Sequence, residues 1–218
     1  MLIGIITALL TIKSIQMELL TQNSKLKKTS KEFGKRVFNF GIPAFSDPET
    51  GKRTCPFAGS CAKICYARKG AYIWGNVKPA FVARYNATKQ DDFVDVMCAQ
   101  IKRKRVDYLR VHDSGDYYSR AYIAKWIEIA RRNPNVKFYS YTKSIPLFKE
   151  IDLPDNYDII YSEGSTVDNL IDTTIDRHSR IFDTVGALSA AGYADASNYD
   201  LYATKWFNKN HKIGLVIH

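Results

Sequence analysis

The chain has no apolar run long enough to cross a membrane. Its most apolar stretch, the sixteen residues MLIGIITALLTIKSIQ, falls short of the roughly 20 that a spanning helix needs. That stretch also lacks the basic start and small-residue cleavage site of a signal peptide. Residues 1–16 therefore read as an extension ahead of Met17, or alternatively as a short first strand or helix, and residues 17–218 as a single domain. Cysteine is scarce: four in 218 residues are too few for a disulfide-dense secreted scaffold and suit a reducing cytoplasm. There is no phosphate-binding glycine loop, dinucleotide fingerprint, zinc-protease helix motif or nucleophile elbow, so those common enzyme classes lose support. Low-complexity tracts, Gly/Ser linkers and internal repeats are lacking too.

What is present begins with charge. Lys plus Arg number 32 against 22 for Asp plus Glu, a net charge of +10 that favours acidic partners. The runs at 25–28 and 102–105 are of the kind that usually form solvated faces, so nucleic acid is a candidate partner but not the favoured one. A hydrophobic content of 45% is ample for a core.

Alternation of apolar and polar residues predicts a strand over 37–40, broken by Gly41 and Pro43. Turn chemistry at 46–51 follows, with Asp47 able to bond the backbone ahead. Residues 72–87 mix Trp74, Phe81, Arg84, Tyr85 and Asn86, and are expected to cover one side of the preceding loop. Phe93, Met97 and Ile101 recur at four-residue steps, predicting an amphipathic helix over 91–104 with Val94 and Cys98 on the neighbouring row. A strand at 106–112, a helix at 118–132 and a strand at 136–142 form one crossover unit, closed by Pro134. Further strands are expected at 157–162, 180–185 and 212–217, with short helical or turn connections at 147–151 and 167–171. The fold class implied is α/β: repeated β/α units on a parallel sheet, forming a partial or distorted barrel with a metal loop at one end.

That loop is TCPFAGSCAKICYARKG, residues 54–70, in which Cys55, Cys61 and Cys65 are spaced C-x5-C-x3-C. Three thiols are odd in number, so a closed set of disulfides among them is impossible. Structural zinc sites pair C-x2-4-C knuckles with a second distant pair, which four cysteines in this arrangement do not supply. Three close thiolates, with Lys63, Arg68 and Lys69 offsetting their charge, suit an iron–sulfur cluster better, with zinc as the alternative. The fourth ligand would be Cys98, another side chain or a bound molecule; Cys98 is equally a small buried hydrophobe. The spacing matches neither bacterial ferredoxin nor the C-x3-C-x2-C of radical S-adenosylmethionine enzymes.

In parallel α/β folds functional groups collect where strands end. The strand ends here are His112-Asp113-Ser114-Gly115-Asp116, Thr142-Lys143-Ser144 and the polar run 162–166. His112, Asp113, Asp116 and Lys143 are candidate catalytic groups, and Ser114 and Thr142 candidate cofactor-binding groups. A plainer reading is that Ser114, Asp116 or Ser119 caps the next helix.

Three motifs in order, C-x-x-A-x-x-C-x-x-x-C-Y-A from Cys55, R-x-H-D-S-G-D-Y-Y-S from Arg110 and Y-T-K-S from Tyr141, resemble the phage family called gene product 88 over about residues 19–165. The resemblance implies a phage-encoded protein of the host cytoplasm, binding an iron–sulfur cluster in a barrel-like α/β fold. It supplies no reaction. The leading expectation is a 4Fe-4S protein held by Cys55, Cys61, Cys65 and Cys98, with a redox or electron-transfer role toward a host redox partner or small molecule. The alternatives are a cluster-dependent enzyme with a pocket around His112 and Lys143, or a zinc-braced module binding nucleic acid or a host protein, with Tyr72, Trp74 and Tyr85 as aromatic contacts.

Overall fold

The computed structural model describes residues 17–216; the expected extension at 1–16 lies outside them. Seven strands form one sheet: β1 (Val37–Phe40), β2 (Tyr108–Val111), β3 (Lys137–Thr142), β4 (Tyr157–Ser162), β5 (His178–Phe182), β6 (Ala194–Asp195) and β7 (Lys212–Val216). Their order is β1-β2-β3-β4-β5-β7-β6 and every pairing is parallel. The helices are α1 (Ser24–Phe33), α2 (Cys61–Ile64), α3 (Lys78–Thr88), α4 (Phe93–Lys104), α5 (Arg120–Arg132), α6 (Ile145–Phe148) and α7 (Val185–Ala190).

Strand alternation sorts side chains onto two faces. Phe40, Leu109, Val111, Phe138 and Tyr157 point to one face and pack beneath α4 and α5, whose Phe93, Met97, Ile101, Ile123, Trp126 and Ile129 complete the main core. The apolar stripe expected over 91–104 is thus the buried one. Gln100 is also buried within α4, because its amide accepts from the Leu19 N–H at 2.9 Å and donates to the Met17 carbonyl at 2.6 Å. On the opposite face Val37 and Tyr139 meet Leu26 of α1 and Leu201, while Ile160 and Ile213 meet Ala196 and Ala203.

The sheet is open, which corrects the barrel expectation. Strands β1 to β5 lie in chain order, as stepwise β/α units dictate, but β7 inserts between β5 and β6 and ends the progression. The β1 edge is closed off by Thr21, which exchanges two backbone hydrogen bonds with Asn39 (2.9 and 2.8 Å), so no strand from the far edge pairs there. The strand expected over 180–185 begins two residues earlier, at His178, and ends at Phe182. The polar sequence 24–33 is helical: Asn23 Oδ1 accepts from the Leu26 N–H at 2.9 Å, Gly34 closes the far end in the left-handed conformation, and only Leu26 and Thr29 are buried. Of the expected caps on α5, Ser119 serves, its hydroxyl accepting from the Tyr122 N–H at 3.2 Å. No helix among the described residues is long and apolar enough to cross a membrane.

Candidate functional site

The cysteine loop lies against the loops that follow β1, β2 and β4. At its start the Thr54 hydroxyl donates to the Pro43 carbonyl at 2.6 Å, and the Thr54 carbonyl accepts from the Asp116 N–H at 3.1 Å. In its middle Ala58 pairs with Ser165 antiparallel, and the Gly164 carbonyl accepts from the Gly59 and Cys61 N–H groups at 3.1 and 3.3 Å. At its end the Tyr66 hydroxyl donates to the Asp113 carbonyl. A loop with so little regular structure keeps its shape because its backbone groups are satisfied by neighbouring loops.

Cys55, Cys61 and Cys65 all line one cavity of about 210 Å³, together with Arg110, Asp116, Lys143 and Ser162. Burial pushes the Cys55 thiol up to about 12, reinforced by the Asp116 charge, although its sulfur accepts from the Phe45 N–H at 3.2 Å. Burial raises Cys61 as well, opposed by Lys143. Among the described residues no group of three or more His, Cys, Asp or Glu side chains is drawn together closely enough to hold a metal ion. The structure brings three of the four expected ligands to one cavity without drawing them into a metal-holding group.

Cys98 does not join them. It sits on α4 beside the end of α5, accepts from Asn133 Nδ2 at 3.2 Å and lines a separate cleft with Asp95, Arg132 and Val136. Its row on the helix faces the α4–α5 seam, which explains the inward pattern in the sequence and places the thiol away from the loop.

Asp116 is the brace of the strand ends. Its carboxylate accepts from the Thr142 hydroxyl (2.6 Å), the Lys143 N–H (2.8 Å) and the Tyr117 N–H (2.8 Å), tying the loop after β2 to the end of β3. Burial raises its pKa and these donors oppose the rise. Gly115 makes the turn possible: its φ is +77°, and a Cβ there would stand 2.3 Å from Ile42 Cγ1. The Thr142 hydroxyl is spent on Asp116, while the Ser114 backbone carbonyl accepts from the Ile42 N–H at 3.0 Å and the residue borders the cavity. Lys143 reaches across to Ser162, its Nζ donating to Oγ at 2.7 Å.

His112 borders the same cavity, yet its ring packs edge-on to Tyr117, with centroids 4.5 Å apart, and its Nε2 lies 2.9 Å from the Tyr122 hydroxyl. The residue has φ +67°, a left-handed conformation that ends β2 and breaks strand alternation. Burial drives its pKa down to about 3, so the imidazole is neutral. Asp113 is buried, its pKa raised by desolvation against the pull of Arg110, with Oδ2 accepting from the Tyr72 hydroxyl at 3.3 Å.

Sequence reasoning assigned no role to the cavity floor. Arg110 projects from β2 to the face opposite α4 and α5, pairs with Asp200 at 3.0 Å and lies 5.1 Å from the centroid of the Tyr141 ring. Asp200 has no exposed surface; Lys25 stands 3.2 Å from it and the Tyr139 hydroxyl donates to it at 2.7 Å. The signal for Arg110 was its place inside an otherwise apolar strand, YLRV; Asp200 left none, being distant from its partners in sequence.

The chain is 31% identical over 102 residues to the Gene 88 protein of Mycobacterium phage L5, covering 41% of this chain and 43% of that protein. It is 28% identical over 149 residues to the Gene 88 protein of Mycobacterium phage D29, covering 56% of this chain and 62% of that one. In both cases less than two thirds of the relative's length is spanned. No solved structure matches. The family model described as Gene product 88 matches residues 17–216, which include the cysteine loop and all three strand-end motifs, and the chain belongs to that family of bacteriophage proteins.

Proposed function

We propose that this protein binds an iron–sulfur cluster, a 4Fe-4S cluster by preference, through Cys55, Cys61 and Cys65, and turns it toward the cavity those residues line. One observation carries the reading: the three thiols line one cavity that the strand-end groups Asp116 and Lys143 also border. The donor set fits. Thiolates are the soft ligands that iron–sulfur clusters take, and thiols raised by burial release their protons when metal binds rather than by ordinary ionisation.

With Cys98 elsewhere, the reading shifts from a carrier sealed by four thiolates toward a cluster with one position left for a small molecule or another side chain. Bound there, the group supplies one-electron chemistry and an open iron coordination site. Lys143 holds a positive charge near Cys61, oriented by Ser162. Asp116 fixes the loop on which that lysine stands. His112, neutral and packed among aromatic rings, supports the loop rather than moving a proton. The partners proposed are a host reductant and a small molecule, in the host cytoplasm.

Metal and labile-sulfide analysis with electron paramagnetic resonance on anaerobically prepared protein tests this. Iron and sulfide are expected in the wild type and in Cys98→Ala, and are expected to be lost from Cys55→Ala, Cys61→Ala and Cys65→Ala. A colourless wild-type protein without iron would sink the proposal, and one zinc per chain would replace it with the structural-metal reading.

A further inference from the structure

The positive charge of this chain is concentrated in one place. Residues 50–90 hold eight of the 32 basic residues and none of the 22 acidic ones, so +8 of the net +10 falls in the segment that carries the cysteine loop. The runs that stand out in the sequence are less available. Arg103 and Lys104 are both paired with Glu18, and Lys25 is drawn to the buried Asp200.

In the loop segment Lys52, Arg53, Lys63, Arg68, Lys69 and Lys78 are exposed. Several are held together. The guanidinium carbons of Arg53 and Arg68 lie 3.8 and 4.8 Å from the centroid of the same Phe45 ring. Arg68 also donates to the Ala62 carbonyl at 2.9 Å, beside Lys63. Arg68 and Lys78 line one cleft of about 180 Å³ with Ile73, Tyr72 and Ser46, and no carboxylate borders it. Glu49 shares a neighbouring cleft with Lys78, and Asp113, which accepts from the Tyr72 hydroxyl at 3.3 Å, is buried. Like charges gathered without counterions repel, and a polyanion relieves that repulsion.

The same face exposes large apolar side chains: Trp74 is 60% exposed, Ile73 58%, Ile64 57% and Tyr66 56%. Tyr72 and Tyr85, which the sequence also offered as contacts, are not free in this way: Tyr72 packs against Tyr66 and Phe81, and Tyr85 is buried. A basic surface bearing an open indole is the arrangement that holds unpaired bases, phosphates on the cations and a base on the ring. We propose that the outer face of the cysteine loop binds single-stranded nucleic acid, with phosphates on Lys63, Arg68 and Lys78 and a base stacked on Trp74. Arg68, Ile64 and Tyr66 also border the cavity, whereas Lys63, Trp74 and Lys78 do not line it, and the proposal does not depend on the cluster reading.

The test is fluorescence anisotropy of a labelled single-stranded oligonucleotide with the purified full chain over a salt series, with iron measured in the same samples. Binding is expected at low salt, weakening as salt rises by about 0.7 in logarithmic slope per phosphate contact. Lys63→Ala with Lys78→Ala is expected to flatten that slope by about 1.4. Trp74→Ala is expected to weaken binding roughly tenfold, while Lys102→Ala is expected to leave it unchanged. Unaltered circular dichroism shows that each variant is folded, and Trp74→Phe, which keeps a ring, is expected to recover most of the loss. No binding at low salt overturns the proposal. So does equal binding of a duplex or of polyglutamate, or a loss in Lys102→Ala as large as in the loop variants. Because iron content is read separately, failure here and failure of the cluster proposal are distinguishable.

Discussion

His112 shows how far a side chain's environment departs from its type. A histidine beside two aspartates at a strand end invites an acid–base role, but here its ring is enclosed by Tyr117, Tyr122 and Trp126 and its pKa falls from the ordinary 6.5 to about 3. The unfolded chain binds a proton at this residue below pH 6.5 and the folded chain does not. Its contribution to stability is therefore complete above about 6.5 and is lost as the pH falls toward 3, at about 1.4 kcal/mol per pH unit. The raised carboxyls of Asp113 and Asp116 act in the opposite sense, so the histidine is isolated by comparing wild type with His112→Asn, a residue that tolerates the left-handed backbone. Urea unfolding at pH 7 and pH 5 is expected to show wild type losing about 2 kcal/mol more than the variant over that interval. Equal losses would mean that the imidazole is protonated in the folded protein. The residue types of this strand end were legible in the sequence. The direction of the ring was not, because a positive φ at a non-glycine residue carries no sequence signal and reverses the alternation on which facing is judged.

Among the elements, those that bury a continuous stripe were the legible ones: β1, α4, α5, β3 and β4 follow the periodicity of their apolar residues closely. The helix α1 was hidden by its polarity, and β6, two residues long, offers no pattern to read. The cysteine loop was visible as a cluster, but what holds it was not, since its anchors lie on other loops, at Pro43, Asp113, Asp116, Gly164 and Ser165. Gly59 is the tightest of these. A Cβ there would stand 2.6 Å from the backbone carbon and oxygen of Ser165, which have no side-chain freedom with which to yield. Gly59→Ala is expected to part the loop from the β4–β5 connection and sharply lower iron content, while the urea midpoint changes little because the main core is untouched. Gly75→Ala, with open space around it, is the control expected to retain iron. Equal iron in the two variants would show that the loop-to-loop pairing is not what positions the thiols.

For the molecule as a whole, Asp200 joins three distant parts of the chain. From a turn late in the sequence it reaches Lys25 on α1, Arg110 on β2 and Tyr139 on β3, filling the face of the sheet opposite α4 and α5. Burial alone would raise its pKa, but Arg110 and Lys25 outweigh that and hold the carboxyl below its usual range. Its stabilising effect is therefore present above about pH 3.8 and is lost as pH falls through the lower folded value. Lys25 is partly exposed and can turn to water, whereas Arg110 is enclosed on the cavity floor and cannot. Asp200→Asn is expected to cost about 3–5 kcal/mol in urea unfolding at pH 7, because it strands the arginine charge rather than removing a favourable pair. Replacing both partners, Asp200→Leu with Arg110→Met, is expected to recover most of that loss, since the desolvation penalty of both charges disappears with them. If the double variant is no more stable than Asp200→Asn, the pair holds the fold through its own attraction. If it recovers stability but binds less iron, Arg110 acts at the cavity as well as in the scaffold beneath it.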